Sequence, residues 1–126
     1  TIYKRSGDVF TKLADPATLP AGSVNGADFS SDSTYLVTAH NSSPYITIYK
    51  RSGDTFTKLA DPGDLPGGTG NMAHFTSADG YLVVSTDSAP ELSVYQRSGD
   101  VFTRVQAADP GGDGGDMDVA NSTTTD

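Results

Sequence analysis

Repeated four-stranded antiparallel sheets in an all-β chain are what this sequence predicts, and three observations carry the prediction. One octapeptide occurs three times, as TIYKRSGD at Thr1, TIYKRSGD at Thr47 and SVYQRSGD at Ser93, at a constant spacing of 46 residues. Self-similarity at that period marks stacked units, each unable to bury its apolar surface alone. Between the copies lie short runs rich in β-branched and aromatic residues, bounded by clusters of Gly, Pro, Asn, Asp and Ser. The third observation is that both sides of those runs carry packing side chains, so each sheet needs cover on two faces.

The elements follow in order. In the unit that starts at Asn25, the first strand is expected over residues 26–30 (GADFS), the second over 35–40 (YLVTAH), the third over 45–51 (YITIYKR) and the fourth over 55–59 (TFTKL). The next unit repeats them with MAHFT from Met72, YLVVST from Tyr81, LSVYQR from Leu92 and VFTRV from Val101. Arg-Ser-Gly-Asp between the third and fourth strands is a tight turn: Gly7, Gly53 and Gly99 supply a positive φ, and Asp54 can bond back to the turn backbone. Asn41 to Pro44 forms a second hairpin loop, and Pro44 stops the ladder from running into it. Such short reversals require antiparallel neighbours. In the second strand Tyr35, Val37 and Ala39 point one way and Leu36, Thr38 and His40 the other. In the third, Ile46 and Ile48 oppose Tyr45, Thr47 and Tyr49. A small sheet covered on both faces by its own copies is a β-propeller blade.

The chain divides accordingly. Residues 1–13 supply strands three and four of a partial blade, and 14–59 and 60–105 are complete blades, each with its linker. Residues 106–126 hold a Gly/Asp-rich linker and the first strand of a further blade. That makes an incomplete ring of about 2.7 units, where closed propellers have ~4–8 blades. A fragment of a longer protein is the expectation, with closure by several chains or an open stack as the alternatives. Gln106-Ala107 reads as an insertion relative to Leu59-Ala60.

Composition narrows the function. A formal charge of −8 and an apolar share of 35% argue against nucleic acid, whose phosphates call for basic patches, and against an anionic membrane surface. With no cysteine, disulfide and thiolate chemistry are out, and the redox compartment stays open. No apolar run approaches the ~18 residues of a membrane span.

At YLVTAHNSSPYITIYKRSGDTFTKL, residues 35–59, the chain resembles WD-repeat-like and YVTN-type propellers. More narrowly, it is similar to the repeat arrays with YITIYKRSGDTFTKL-type units found in bacteriophage virion and tail-associated proteins. The resemblance covers nearly the whole chain and implies a non-catalytic interaction or structural module with a virion or extracellular location. The Trp-Asp dipeptide of true WD repeats is missing: Tyr49-Lys50 and Tyr95-Gln96 stand near its place, and there is no Trp. Lactonase-type propellers share the YLxVA…VxVY rhythm, so the alternative is a fragment of a lactonase-like propeller enzyme. The expected partners are a protein or a glycan, together with other blades of the same or a neighbouring chain. A secreted bacterial adhesin is a second possible setting.

Candidate chemistry lies where the copies differ. His40 and His74 are the two histidines, and they are not equivalent, since Thr86 and Asp28 take the matching positions. Two such residues without HExxH do not make a metal site. No GxSxG turn points to nucleophilic catalysis, and no catalytic residue or cofactor is assigned. In DPGGDGGDMD, Asp113, Asp116 and Asp118 are weak calcium candidates, because hard cations take carboxylate oxygens from flexible loops; the DxDxDG order is absent. Asn25, Asn71 and Asp116 match at the start of the first strands, and Asp28 and His74 match three residues on. Polar, variable side chains at matched places around an axis make a ligand-facing ring. With His40 and Asn41 at the second loop, these are the candidate binding-surface residues; turn-backbone capping is the competing account of Asn25 and Asn71.

Overall fold

The computed structural model describes residues 1–108, with side chains placed as far as Val105. Among the described residues there is no helix. β1 (Tyr3–Ser6) and β2 (Val9–Lys12) form a hairpin. β3 (Val24–Phe29), β4 (Tyr35–His40), β5 (Ile46–Ser52) and β6 (Thr55–Lys58) form a meander in that order. β7 (Gly70–Phe75), β8 (Tyr81–Thr86), β9 (Leu92–Ser98) and β10 (Val101–Ala108) form another. Every pairing is antiparallel.

The strands fall where the β-branched and aromatic runs place them, with two differences. β3 and β7 begin two residues before the expected strands, because each ladder accommodates an extra residue. Val24 pairs with His40 and Gly26 with Ala39, so Asn25 bulges; Gly70 pairs with Thr86 and Met72 with Ser85, so Asn71 bulges in the same way. The insertion at Gln106-Ala107 is absorbed within β10. The register shifts between Arg104 and Gln106, and pairing then continues along β9 to Leu92.

The two faces separate as the alternation predicts. Tyr35, Val37, Ala39, Ile46 and Ile48 of one sheet pack on Ala73, Leu82, Val84, Tyr95 and Phe102 of the next, with Leu59 and Phe75 at the margin. On the opposite face, Leu36, Tyr49 and Phe56 pack on Ile2 and Leu13 beside the β1–β2 hairpin. The sheets therefore stack as blades, with β3 and β7 as the first strands of their meanders. Phe29 stands edge-on to Phe56 at 6.0 Å, and the matching pair Phe75 and Phe102 at 6.2 Å.

The octapeptide joins one blade to its neighbour. Tyr49 Oη donates to the Thr18 carbonyl at 2.9 Å, and Tyr95 Oη to the Asp64 carbonyl at 2.9 Å. Burial pushes both phenols up to about 12. Lys4 Nζ reaches Asp54 at 3.0 Å, and Lys50 Nζ reaches Asp100 at 2.9 Å. Arg51 Nε donates to Ser33 O and Arg97 Nε to Asp79 O, both at 2.8 Å. Gly7, Gly53 and Gly99 sit at φ 58°, 58° and 57°, as a tight turn requires. The Asp54 carboxylate differs from expectation: the lysine of the adjoining unit takes it, in place of the turn backbone. Its counterpart Asp100 accepts from Tyr35 Oη and from Lys50, and both contacts hold its carboxyl below the ordinary range.

Magnitudes rank these contacts. Lys50 and Asp100 are each more than two-fifths exposed, at 45% and 43%, and exposed pairs of this kind contribute at most about 1 kcal/mol. Leu82 is wholly buried, and emptying such a site costs about 2–5 kcal/mol. In urea denaturation, Leu82→Ala is expected to lower stability by about 2–5 kcal/mol and Lys50→Ala by no more than about 1 kcal/mol. Equal losses would mean that the ion pairs, not the apolar faces, hold the blades together.

Candidate functional site at the inner strands

β3 and β7 run beside one another where the two blades meet. Gly26 allows a close approach, since a Cβ there would come within 3.0 Å of the Asn71 carbonyl and 3.3 Å of Met72 Cα. Asn25 Nδ2 donates to the Gly70 carbonyl at 2.9 Å. Asp28 Oδ2 accepts from the Phe75 backbone amide at 3.0 Å and lies 3.5 Å from His74 Nδ1. A carboxylate and an imidazole at matching positions of consecutive units are thus brought together across a blade boundary.

Exposure separates the partners. The His74 side chain is 56% exposed and that of Asp28 is 32% exposed. The imidazole is largely open to solvent while the carboxylate also accepts from a backbone amide. Met72, two residues before His74 on the same side of β7, is also exposed. The repeat carries the signal for it: glycine at position 26 becomes methionine at position 72. Asn71 is exposed at its bulge.

The other sequence-derived candidates separate from this pair. Asn25 serves as a brace between blades through Gly70. Asn41 Oδ1 accepts from the Ser23 amide at 2.9 Å, and its loop is packed so closely on the linker that a Cβ at Gly22 would overlap it. His40 is not on a surface: it is wholly buried, with Nε2 2.9 Å from Thr47 Oγ1 and Nδ1 without a hydrogen-bond partner. It stands at the end of β4 between its ladder partner Val24 and the next blade, where a Cβ at Gly70 would lie 3.2 Å from the His40 backbone nitrogen. Asp113, Asp116 and Asp118, the calcium candidates, lie outside the described residues. Among the described residues no group of three or more His, Asp or Glu comes together to hold a metal ion.

A further inter-blade contact was not visible in the sequence. Asp79, at φ 56° in the β7–β8 turn, accepts from the Ser31 amide at 2.9 Å and from Ser31 Oγ. The equivalent residue is Ser33, so the repeat itself gives no hint of a carboxylate there. In the matching turn Asp32 instead accepts from the Thr34 amide and Ser30 Oγ, and these bonds lower its carboxyl to about 2.

Comparison with known proteins gives fold-level information. No protein-family model matches the chain, and no curated protein matches it. Among solved structures it is similar to a candidate 6-phosphogluconolactonase of Bacteroides fragilis, with a TM-score of 0.64 and 17% sequence identity. The match covers 83% of this chain and 31% of that one. The likeness agrees with the propeller-blade architecture built above.

Burial lowers the tendency of His40 to take a proton. Its folded value thus lies below the unfolded value of about 6.5. The unfolded chain then binds more protons in that window, so the His40 contribution is complete above pH ~6.5 and is lost as pH falls below it. Thr86 fills the matching place, which makes His40→Thr the natural control. The melting temperature of the wild type should fall more than that of His40→Thr between about pH 7.5 and about pH 5.5. Parallel curves would contradict a neutral, buried His40.

Proposed function

We propose that the His74–Asp28 pair is the reactive element of a propeller hydrolase acting on a lactone-type ester. The observation that carries this reading is the 3.5 Å approach of Asp28 Oδ2 to His74 Nδ1 at the edge of the inner strands. A carboxylate on the Nδ1 side favours the tautomer with its proton there and leaves Nε2 as the acceptor. Nε2 of this exposed ring can take a proton from water as that water attacks the ester carbonyl. The structural likeness to a candidate 6-phosphogluconolactonase supports the choice of ester, since that protein's substrate class would suit a water-activating imidazole. This chain spans 31% of that structure.

A second reading is favoured by a different observation: the repeated residues serve scaffold contacts, with Lys50 and Asp54 linking successive blades and Tyr49 and Arg51 bonding linker and turn carbonyls. On that reading the chain belongs to a non-catalytic interaction module of a virion or an adhesin, and the inner-strand residues contact a protein or glycan.

Hydrolysis of sugar δ-lactones, followed by pH-stat in the protein that carries this chain, distinguishes the two. The first reading expects turnover that falls by about 10²-fold or more in His74→Gln, with a smaller loss in Asp28→Asn. Unchanged turnover in His74→Gln would remove the pair from the reaction. Absence of turnover in the wild type would leave the interaction module.

A further inference from the structure

All 8 Lys and Arg residues of this chain lie on the third and fourth strands of the repeat, that is on β1, β2, β5, β6, β9 and β10. Residues 13–49, 59–96 and 105–126 contain none. Each of these cations is engaged where it stands. The lysines pair with carboxylates of their own or the adjoining unit, and the arginines donate to backbone carbonyls of turns and linkers.

The first and second strands and their turns carry the opposite sign. Asp28 on β3, Asp32 and Asp79 in the turns after β3 and β7, and Glu91 before β9 form no ion pair with Lys or Arg among the described residues. β4 separates β3 from β5, and β8 separates β7 from β9. About 10 Å of sheet therefore stands between the Asp28–His74 pair and the cationic strand of either blade. A base must be neutral to accept a proton, so the pair carries one net negative charge when it is ready to act. A phosphate ester carries about −1.5 to −2 at pH 7, and its usual partners are Arg, Lys or a helix N-terminus. Among the described residues there is no helix, and the cations face other tasks.

We infer, on the strength of the hydrolase reading above, that Asp28 is a specificity-determining residue and directs the site to lactones that bear no phosphate or other anionic group. Its two effects are separable. By accepting from Nδ1, Asp28 orients the imidazole, which serves every lactone alike; its charge acts only on a substrate that is itself charged. The second effect is open to screening, since the Asp28 side chain is 32% exposed and the Debye length shrinks from about 30 Å at 0.01 M salt to about 3 Å at 1 M.

The test compares kcat/KM for glucono-δ-lactone and its 6-phosphate, by pH-stat in the protein that carries this chain. The unphosphorylated lactone should be favoured by about tenfold or more in about 10 mM NaCl, and by clearly less in about 500 mM. Asp28→Asn should slow both lactones and bring their ratio to within about threefold. Lys50→Gln, on a third strand, should keep the wild-type ratio. Should Asp28→Asn be too slow to measure, the salt dependence of the wild-type ratio decides. A phosphorylated lactone turned over as well as its parent overturns the inference and leaves the hydrolase reading in place. So does a ratio that neither salt nor Asp28→Asn alters. Turnover of neither lactone removes the hydrolase reading itself, and this inference with it.

Discussion

Each blade has two apolar faces and cannot bury either one by itself. Tyr35, Val37, Ala39, Ile46 and Ile48 reach Ala73, Leu82, Val84, Tyr95 and Phe102 of the next sheet, and every other feature of the structure depends on that contact. Full burial of such side chains is favourable by about 1.5–3 kcal/mol each, whereas the accompanying ion pairs are solvent-exposed. The polar contacts have a different task. Apolar surfaces attract without direction, so a sheet could slide or rotate on its neighbour. Asn25 on Gly70 O, the Phe75 amide on Asp28 and the Ser31 amide on Asp79 fix the position at which the faces meet. Removal of one of these bonds leaves a part-buried carbonyl or amide without a partner, which penalises the wrong alignment.

This division of labour explains why the octapeptide is repeated and why it carries no chemistry. Its isoleucine packs, its tyrosine and arginine reach linker and turn carbonyls, its lysine and aspartate link successive blades, and its glycine turns the chain. Few of those side chains could change without loss of stacking. The inner strands are under less constraint, because one side of β7 faces solvent at Met72 and His74. Gly26 against Met72 and Asp28 against His74 are departures from the repeat at matched positions. Asp28 keeps one structural duty, acceptance of the Phe75 amide, while it stands next to the imidazole.

Much of this was legible in the amino-acid sequence because periodicity reports topology directly. The 46-residue spacing, the alternation in YLVTAH and YITIY and the glycine turns led to the strand order and to the two faces. Bulges at Asn25 and Asn71 were not legible, since both units carry the same extra residue and the repeat shows no difference there; the insertion near Gln106 was legible because only one unit has it. His40 was misplaced for a related reason. A polar residue at a strand end normally meets solvent, and only the packing of the next blade near that end, at Gly70, shows that it does not. Asp28 and His74 stood out as matched polar residues, but their mutual contact crosses a blade boundary, and no local pattern encodes a distance of that kind. The Ser31–Asp79 contact was hidden more completely, since each residue has an ordinary turn partner in the other unit.

The claim that neither blade stands without its neighbour is tested most directly by native-state hydrogen exchange, comparing the amides of β4 with those of β8 across a urea series. The stacked interface predicts that both strands open together, with one free energy and one denaturant dependence. Opening of β8 at a lower free energy, while β4 keeps its full protection, would show that the sheets are independently stable and would contradict the account.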